Sequence, residues 1–256
     1  MKKTLIALIA LLYLLAGKPP AHAQTEITLL SPNPIQKTVD KLVAQFEAKT
    51  GNHVKITYGT GVSTRKTVAE GEALDVSLLF APFPEALKTG NVDKTTQTVV
   101  ARLRLALAVR KGAPKPDIST VDAVKKTLLS AKSIVSVDPA QGSVGGAALA
   151  ALEKMGIKDQ LQSKIRWLPG GGQVQDAVAK GEAEIALGPY LSDMRNPGLD
   201  VVGALPPEAA TPVDITGWLS TSVAGEKAKV AKALLSFLAS PEAAAAYEEE
   251  KIFPTR

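Results

Sequence analysis

Two stretches of the chain repeat each other at a fixed offset of 110 residues, and this constrains the fold more than any other feature. Gly61-Val-Ser-Thr-Arg-Lys-Thr-Val-Ala-Glu-Gly-Glu-Ala73 matches Gly171-Gly-Gln-Val-Gln-Asp-Ala-Val-Ala-Lys-Gly-Glu-Ala183. The pairs Gly61/Gly171, Val68/Val178, Ala69/Ala179, Gly71/Gly181, Glu72/Glu182 and Ala73/Ala183 are identical. Each copy reads as a strand ending in a glycine turn, then a short helix, then another strand. Val-Ala-x-Gly-Glu-Ala is also a common helix ending, because glycine takes the left-handed C-terminal conformation without a side-chain clash. Read as a repeat, it implies two lobes of similar construction with a ligand cleft between them.

The surrounding pattern is α/β. Strands are predicted at Glu26–Leu30, His53–Tyr58, Val76–Phe80, Ala101–Val109, Ser133–Val137, Ile165–Leu168 and Glu184–Leu187. Helices are predicted over Pro34–Lys49, with Asn33 as N-cap, and from Ser63 to Glu70. Further helices run from a Ser119-x-x-Asp122 capping box to Ala131, from the Gly-rich loop at 138–146 to Met155, and over Gln173–Lys180. Two more occupy Glu226–Ala239 and, capped by Ser240, Pro241–Glu249. Strands alternating with helices imply a parallel sheet covered on both faces.

The N-terminus adds a leader. Lys2 and Lys3 precede the 12-residue apolar run Leu5–Ala16, and Ala21-His22-Ala23 closes the segment. That is the order of a secretory signal peptide, residues 1–23. The run is shorter than the roughly 20 residues of a membrane span, so no stable membrane insertion is expected after cleavage. Cleavage leaves 233 residues with 27 basic and 25 acidic side chains, so the precursor's +5 falls to +2. No Lys/Arg cluster with interleaved aromatics remains, which argues against a nucleic-acid partner. The chain has no cysteine, which excludes thiolate chemistry and disulfides. His53 is the single mature histidine, which excludes a histidine-rich metal site, and no metal or cofactor is expected. No Walker loop or dinucleotide fingerprint is present.

Candidate ligand-binding residues lie at the loop-to-helix junctions. These are Ser31 and Asn33; Gly61, Ser63 and Thr64, with Arg65 just inside the helix; Gln141, Ser143 and Val144; Gly172 and Gln173; and Tyr190 after Gly188-Pro189. Helix N-termini present unpaired N–H groups and the positive end of the dipole, so several converging ends attract an anion. Arg65 adds a guanidinium able to grip a carboxylate with two bonds. His53 reads as a surface residue, and Trp167 and Trp218 as core packing. Asp75 and Asp138 read as turn residues bonded to local backbone, and Glu248-Glu-Glu250 as a solvated helix end.

Several segments together resemble the periplasmic solute-binding proteins of ABC importers, and within them the molybdate-binding-protein-like group. They are Ile27-Thr-Leu-Leu30, Phe46-Glu-Ala-Lys-Thr-Gly51, Ala69-Glu-Gly-Glu-Ala-Leu-Asp75, Gly112-Ala-Pro-Lys-Pro116, Asp138-Pro-Ala140, Pro169-Gly-Gly-Gly172 and Phe237-Leu-Ala-Ser-Pro-Glu-Ala243. The resemblance implies a two-lobed type II periplasmic-binding-protein fold. One lobe would be 24–102 plus 214–256 and the other 103–213, with crossings near Val100–Leu107 and Thr211–Gly217. It also implies a periplasmic monomer that closes on a small anionic ligand and delivers it to an ABC permease. The chain departs from the molybdate pattern. Pro34 falls where a ligand serine is usual, and Thr60-Gly61-Val62-Ser63 replaces consecutive serines. Two lost hydroxyls beside Arg65 point to an anion other than molybdate, another oxyanion or a small carboxylate. The group is also similar to a periplasmic aconitate isomerase, which gives a second class: an enzyme moving a double bond in a tricarboxylate. For that proton transfer Ser63, Tyr190 and Asp75 are the candidate bases, the catalytic group being left open.

The leader reading predicts that the exported protein begins at Gln24, which intact-mass spectrometry of a periplasmic extract reads directly.

Overall fold

The computed structural model describes residues 24–254 apart from 73 and 192–195. The leader, with His22, and Ala73 of the first repeat copy lie outside the described residues.

β1 (Glu26–Pro32) enters a 3-10 turn at Asn33–Ile35 and then α1 (Gln36–Thr50), closed by Gly51 in the left-handed conformation at φ 73°. Next come β2 (His53–Gly59), α2 (Gly61–Glu70), β3 (Val76–Phe80), α3 (Pro84–Lys88) and β4 (Val92–Leu103). The middle of the chain forms β5 (Leu105–Arg110), α4 (Val121–Ser130), β6 (Ile134–Val137), α5 (Ser143–Lys154), β7 (Ile165–Leu168), α6 (Gly171–Ala179), β8 (Ile185–Pro189) and β9 (Leu199–Ala204). The chain finishes with β10 (Val213–Ser220), α7 (Gly225–Leu238), α8 (Pro241–Glu249) and the short β11 (Phe253–Pro254).

Two sheets result. The first has the order β11-β4-β10-β3-β1-β2 and the second β7-β6-β8-β5-β9. In each, three parallel strands are followed by an antiparallel strand that has just crossed from the other sheet: β10 beside β3, and β5 beside β8. The order β2-β1-β3-β10-β4 thus repeats as β7-β6-β8-β5-β9. The 110-residue repeat maps α2 and β3 onto α6 and β8, equivalent places in the two sheets.

Strand alternation decides which core each residue enters. Ile27 and Leu29 of β1 face the cluster built with α1, α7 and α8, while Leu30 faces Val68 and Trp218 on the α2 side. In the second sheet Leu107 and Ile134 pack with α4 and α5, and Val135 and Ala186 with α6. Each of the buried Val, Leu and Ile side chains contributes about 1.5–3 kcal/mol. Ala147 of α5 packs against both the first-sheet and the second-sheet clusters, so α5 joins the two halves.

Several expectations are corrected. The strand expected over 101–109 is two strands in different sheets, separated at Arg104. Its alternating pattern continues across the break, which hides it. Asn33 is not the cap of α1: it is the first residue of the 3-10 turn, which Pro32 precedes in extended conformation (φ −69°, ψ 136°), and the residue before α1 is Ile35, whose apolar side chain makes no capping bond. The capping box at Ser119 is displaced by one residue. The Ser119 N–H bonds the Asp117 carboxylate at 2.9 Å, so Thr120 becomes the cap and accepts from Ala123 N at 3.1 Å. Glu250 is not solvated: its residue is 7% exposed, and its carboxylate meets Lys37 at 2.6 Å, joining the end of α8 to α1. Asp75 does not bond local backbone but takes 2.7 and 3.0 Å bonds from the N–H and hydroxyl of Thr28 on β1. β9, β10, α3, β11 and the first half of β4 carried no usable pattern. His53 is exposed beside Glu47 at 2.8 Å, and Trp218 is fully buried.

Gly217 shows how closely α7 sits on β10. A Cβ there would overlap the Leu235 Cδ1 and lie 3.0 Å from Leu78 Cδ2. Gly217→Ala is expected to lower stability by about 1–3 kcal/mol, the range for overpacked cores, read as a reduced urea midpoint at unchanged m-value.

Candidate functional site

The carboxyl ends of the parallel strands carry the junctions expected to bind ligand. β2 ends at Gly59, and Thr60 caps α2, its hydroxyl accepting from Ser63 N at 3.0 Å. The Ser63 hydroxyl donates to Thr60 O at 3.1 Å, and that of Thr64, fully buried, to Gly61 O at 3.3 Å. Gly61 lies against the Phe80 ring at the end of β3. One turn into α2, Arg65 leaves its own sheet. Its Nη1 donates to Pro82 O at 3.0 Å and to the Ser143 hydroxyl at 3.0 Å. Ser143 is the first residue of α5, 4% exposed, and its own hydroxyl donates to Phe80 O at 3.2 Å. One guanidinium nitrogen and one hydroxyl therefore bind the end of β3 to the first turn of α5, across the two sheets.

α5 is held in that place by Gly145. A Cβ on Gly145 would penetrate the Val137 carbonyl and lie 2.7 Å from Asp138 O, so only glycine lets the helix start this close to β6. Gly142 at the cap has no side chain to bond the first-turn N–H groups. α6 starts in the same way at Gly170. Uncapped N–H groups and the dipole make both ends suited to an anion.

Arg65, Ser143 and the end of β3 are thus in direct contact, with Gly61, Ser63 and Thr64 on the helix that carries Arg65. Val144 follows Ser143 and is buried. Ser31 ends β1 opposite Tyr58 of β2, fully buried, its hydroxyl without a hydrogen-bond partner. A buried hydroxyl left unpaired costs about 1–3 kcal/mol. Asn33 lies in the 3-10 turn beyond it. Tyr190 follows β8 at the crossing: its N–H bonds Arg104 O at 2.7 Å and its ring stacks on Phe253 with centroids 6.4 Å apart. Gln141, Gly172 and Gln173 are exposed, and none hydrogen-bonds Arg65 or Ser143 among the described residues.

Of the candidate bases, Asp75 precedes β3 and so sits at the opposite end of the sheet from Phe80 and Arg65. Asp138 accepts the Ala140 N–H at 2.9 Å, as a turn residue does. The Tyr58 phenol donates to Asp40 and is pushed far above its ordinary value by burial first and by Asp40 second, so it stays protonated. Among the described residues no cluster of His, Cys, Asp and Glu is placed to hold a metal ion. Sequence reasoning missed the Phe80 and Pro82 carbonyls, which carry no side-chain signal, and Thr60, whose place before Gly61 was a readable cap.

Residues 27–250 match the family model for bacterial extracellular solute-binding proteins. The chain belongs to that family. An aconitate isomerase from Pseudomonas sp. is 33% identical over 252 residues, covering 94% of this chain and 93% of that protein. The periplasmic molybdate-binding protein of Azotobacter vinelandii superposes with a TM-score of 0.69 at 21% identity, covering 90% of this chain and 100% of that one. The sulfate-binding protein of Mycobacterium tuberculosis gives a TM-score of 0.71 at 17% identity, covering 91% of this chain and 88% of the other. At such identities the two structures establish the type II periplasmic-binding-protein fold. Among the described residues no helix of this solute-binding protein is long and apolar enough to cross a membrane.

Gly145→Ala is expected to drive α5 off β6 and to destabilise the protein by at least about 1–3 kcal/mol, as overpacking against rigid backbone does. Gly146→Ala, where a Cβ meets nothing within 4 Å, is its control in thermal unfolding.

Proposed function

We propose that this chain binds a small carboxylate anion between its two sheets, at Arg65 and the first turn of α5, in the periplasm. The two lobes on either side are taken as 24–102 plus 214–256 and 103–213. The observation that carries the reading is Arg65: its Nη1 is occupied by protein, while its Nε and Nη2 have no hydrogen-bond or ion-pair partner among the described residues. A half-buried guanidinium edge with free donors suits a planar carboxylate, to which it forms two parallel bonds. The first-turn amides of α5 and α6, the Ser31 hydroxyl and Tyr190 complete the set assigned to the ligand. Delivery to an ABC permease is the role the family implies for such a protein.

The relationship to an aconitate isomerase along nearly the whole chain favours a second reading, catalysis at the same site. Isomerisation of aconitate removes a proton from the methylene carbon, shifts the π electrons across the allylic unit, and returns a proton to the former vinyl carbon. Arg65 would hold one carboxylate and the helix ends another, keeping the allylic carbons fixed. Of the candidate bases, Asp75 is at the wrong end of the sheet and the Ser63 proton is bonded to Thr60 O, so Tyr190 remains.

Calorimetric titration tests the first reading. Cis- or trans-aconitate is expected to bind, and Arg65→Ala to weaken it roughly 10- to 100-fold, the loss of a charged hydrogen-bonded contact. Tight molybdate binding with no carboxylate binding would sink it. Proton NMR of trans-aconitate incubated with the protein tests the second, the cis isomer appearing only if the chain is catalytic.

A further inference from the structure

Nη1 of Arg65 has two hydrogens, and both are engaged, one on Pro82 O and one on the Ser143 hydroxyl, each at 3.0 Å. The Ser143 proton is in turn given to Phe80 O at 3.2 Å. Two of the three acceptors belong to the end of β3 and its loop, and the third to α5 of the other sheet. The guanidinium plane is therefore set from both sides. What stays available is the Nε–Nη2 edge, the side on which two N–H bonds point the same way. Ser143 cannot easily move: it is 4% exposed, Gly145 two residues on is pressed against the end of β6, and Ala147 on the same helical face packs into both cores.

We infer that Ser143 is a positioning residue that acts through Arg65. Its hydroxyl holds Nη1 so that the Nε–Nη2 edge is presented in one orientation to a carboxylate of the ligand. The joint between the sheets and the grip on the carboxylate then share one guanidinium, and loosening either loosens the other. The ligand half of this inference rests on the carboxylate reading above. Lysine at position 65 keeps the charge but offers no second edge.

The test is a double-mutant cycle on the full chain with trans-aconitate as probe, read by calorimetry. Ser143→Ala is expected to weaken binding about tenfold, the effect of one hydrogen bond to a charged group. Arg65→Lys is expected to weaken it more, and the double variant no further than Arg65→Lys alone, because Ser143 has lost the group it positions. Hydrogen exchange of the first turn of α5, measured without ligand, is expected to rise in Ser143→Ala and in Arg65→Lys, with no further rise in the double variant. Failure of the wild-type protein to bind trans-aconitate overturns the carboxylate reading. Unchanged exchange in Ser143→Ala, or the same tenfold loss in the wild-type and Arg65→Lys backgrounds, overturns the positioning role itself.

Discussion

Arg104 stands where the chain leaves one sheet for the other, and much of the architecture meets at it. Its carbonyl accepts the Tyr190 N–H at 2.7 Å, its Nη2 donates to Leu205 O at 2.5 Å, and its guanidinium lies 4.9 Å from the Phe253 ring centroid. One residue thus touches the outward crossing, the end of β8, the return crossing and the last strand. The two sheets are separate hydrogen-bonded systems, and Arg104, like α5, makes contacts to both. The planar guanidinium reaches the Leu205 carbonyl and lies over the Phe253 ring together, a combination that suits arginine better than lysine.

The second connection, through Ser143 and Arg65, has a different character. It is made by side chains at the carboxyl ends of parallel strands, where an open α/β sheet places its ligands. The same groups that connect the halves are those suited to an anion: helix N–H groups without capping side chains, and one arginine with a free edge. The proposed grip on a carboxylate and the joint between the sheets therefore share one guanidinium.

Much of the scaffold was legible in order and type. The parallel strands β1, β2, β3, β6, β7 and β8 and the helices between them were readable because hydrophobic periodicity and glycine or proline breaks coincide there. The antiparallel strands were not. β4 and β5 read as one strand, since an apolar-polar alternation is indifferent to which sheet a residue joins. β9 and β10 sit in stretches rich in glycine, proline and threonine. At the site, the glycines and Ser143 were visible from their place at helix starts, but the Phe80 and Pro82 carbonyls were not, since every residue has one. Glu250 read as solvated because three glutamates in a row give no hint that α1 brings Lys37 to one of them.

The amino-acid order by itself determined the repeated α/β unit, the glycine and proline breaks between its elements, and the absence of thiol chemistry. These follow from local rules: side-chain period, glycine and proline geometry, and composition. The tertiary structure alone decided that Arg65 crosses to Ser143, that Asp75 lies at the far end of its sheet, and that Gln141 and Gln173 stay exposed without a bond to Arg65. Those depend on contacts between residues separated by 78 positions in the case of Arg65 and Ser143. No local pattern encodes such a contact, because it exists only once two independently built sheets are brought together.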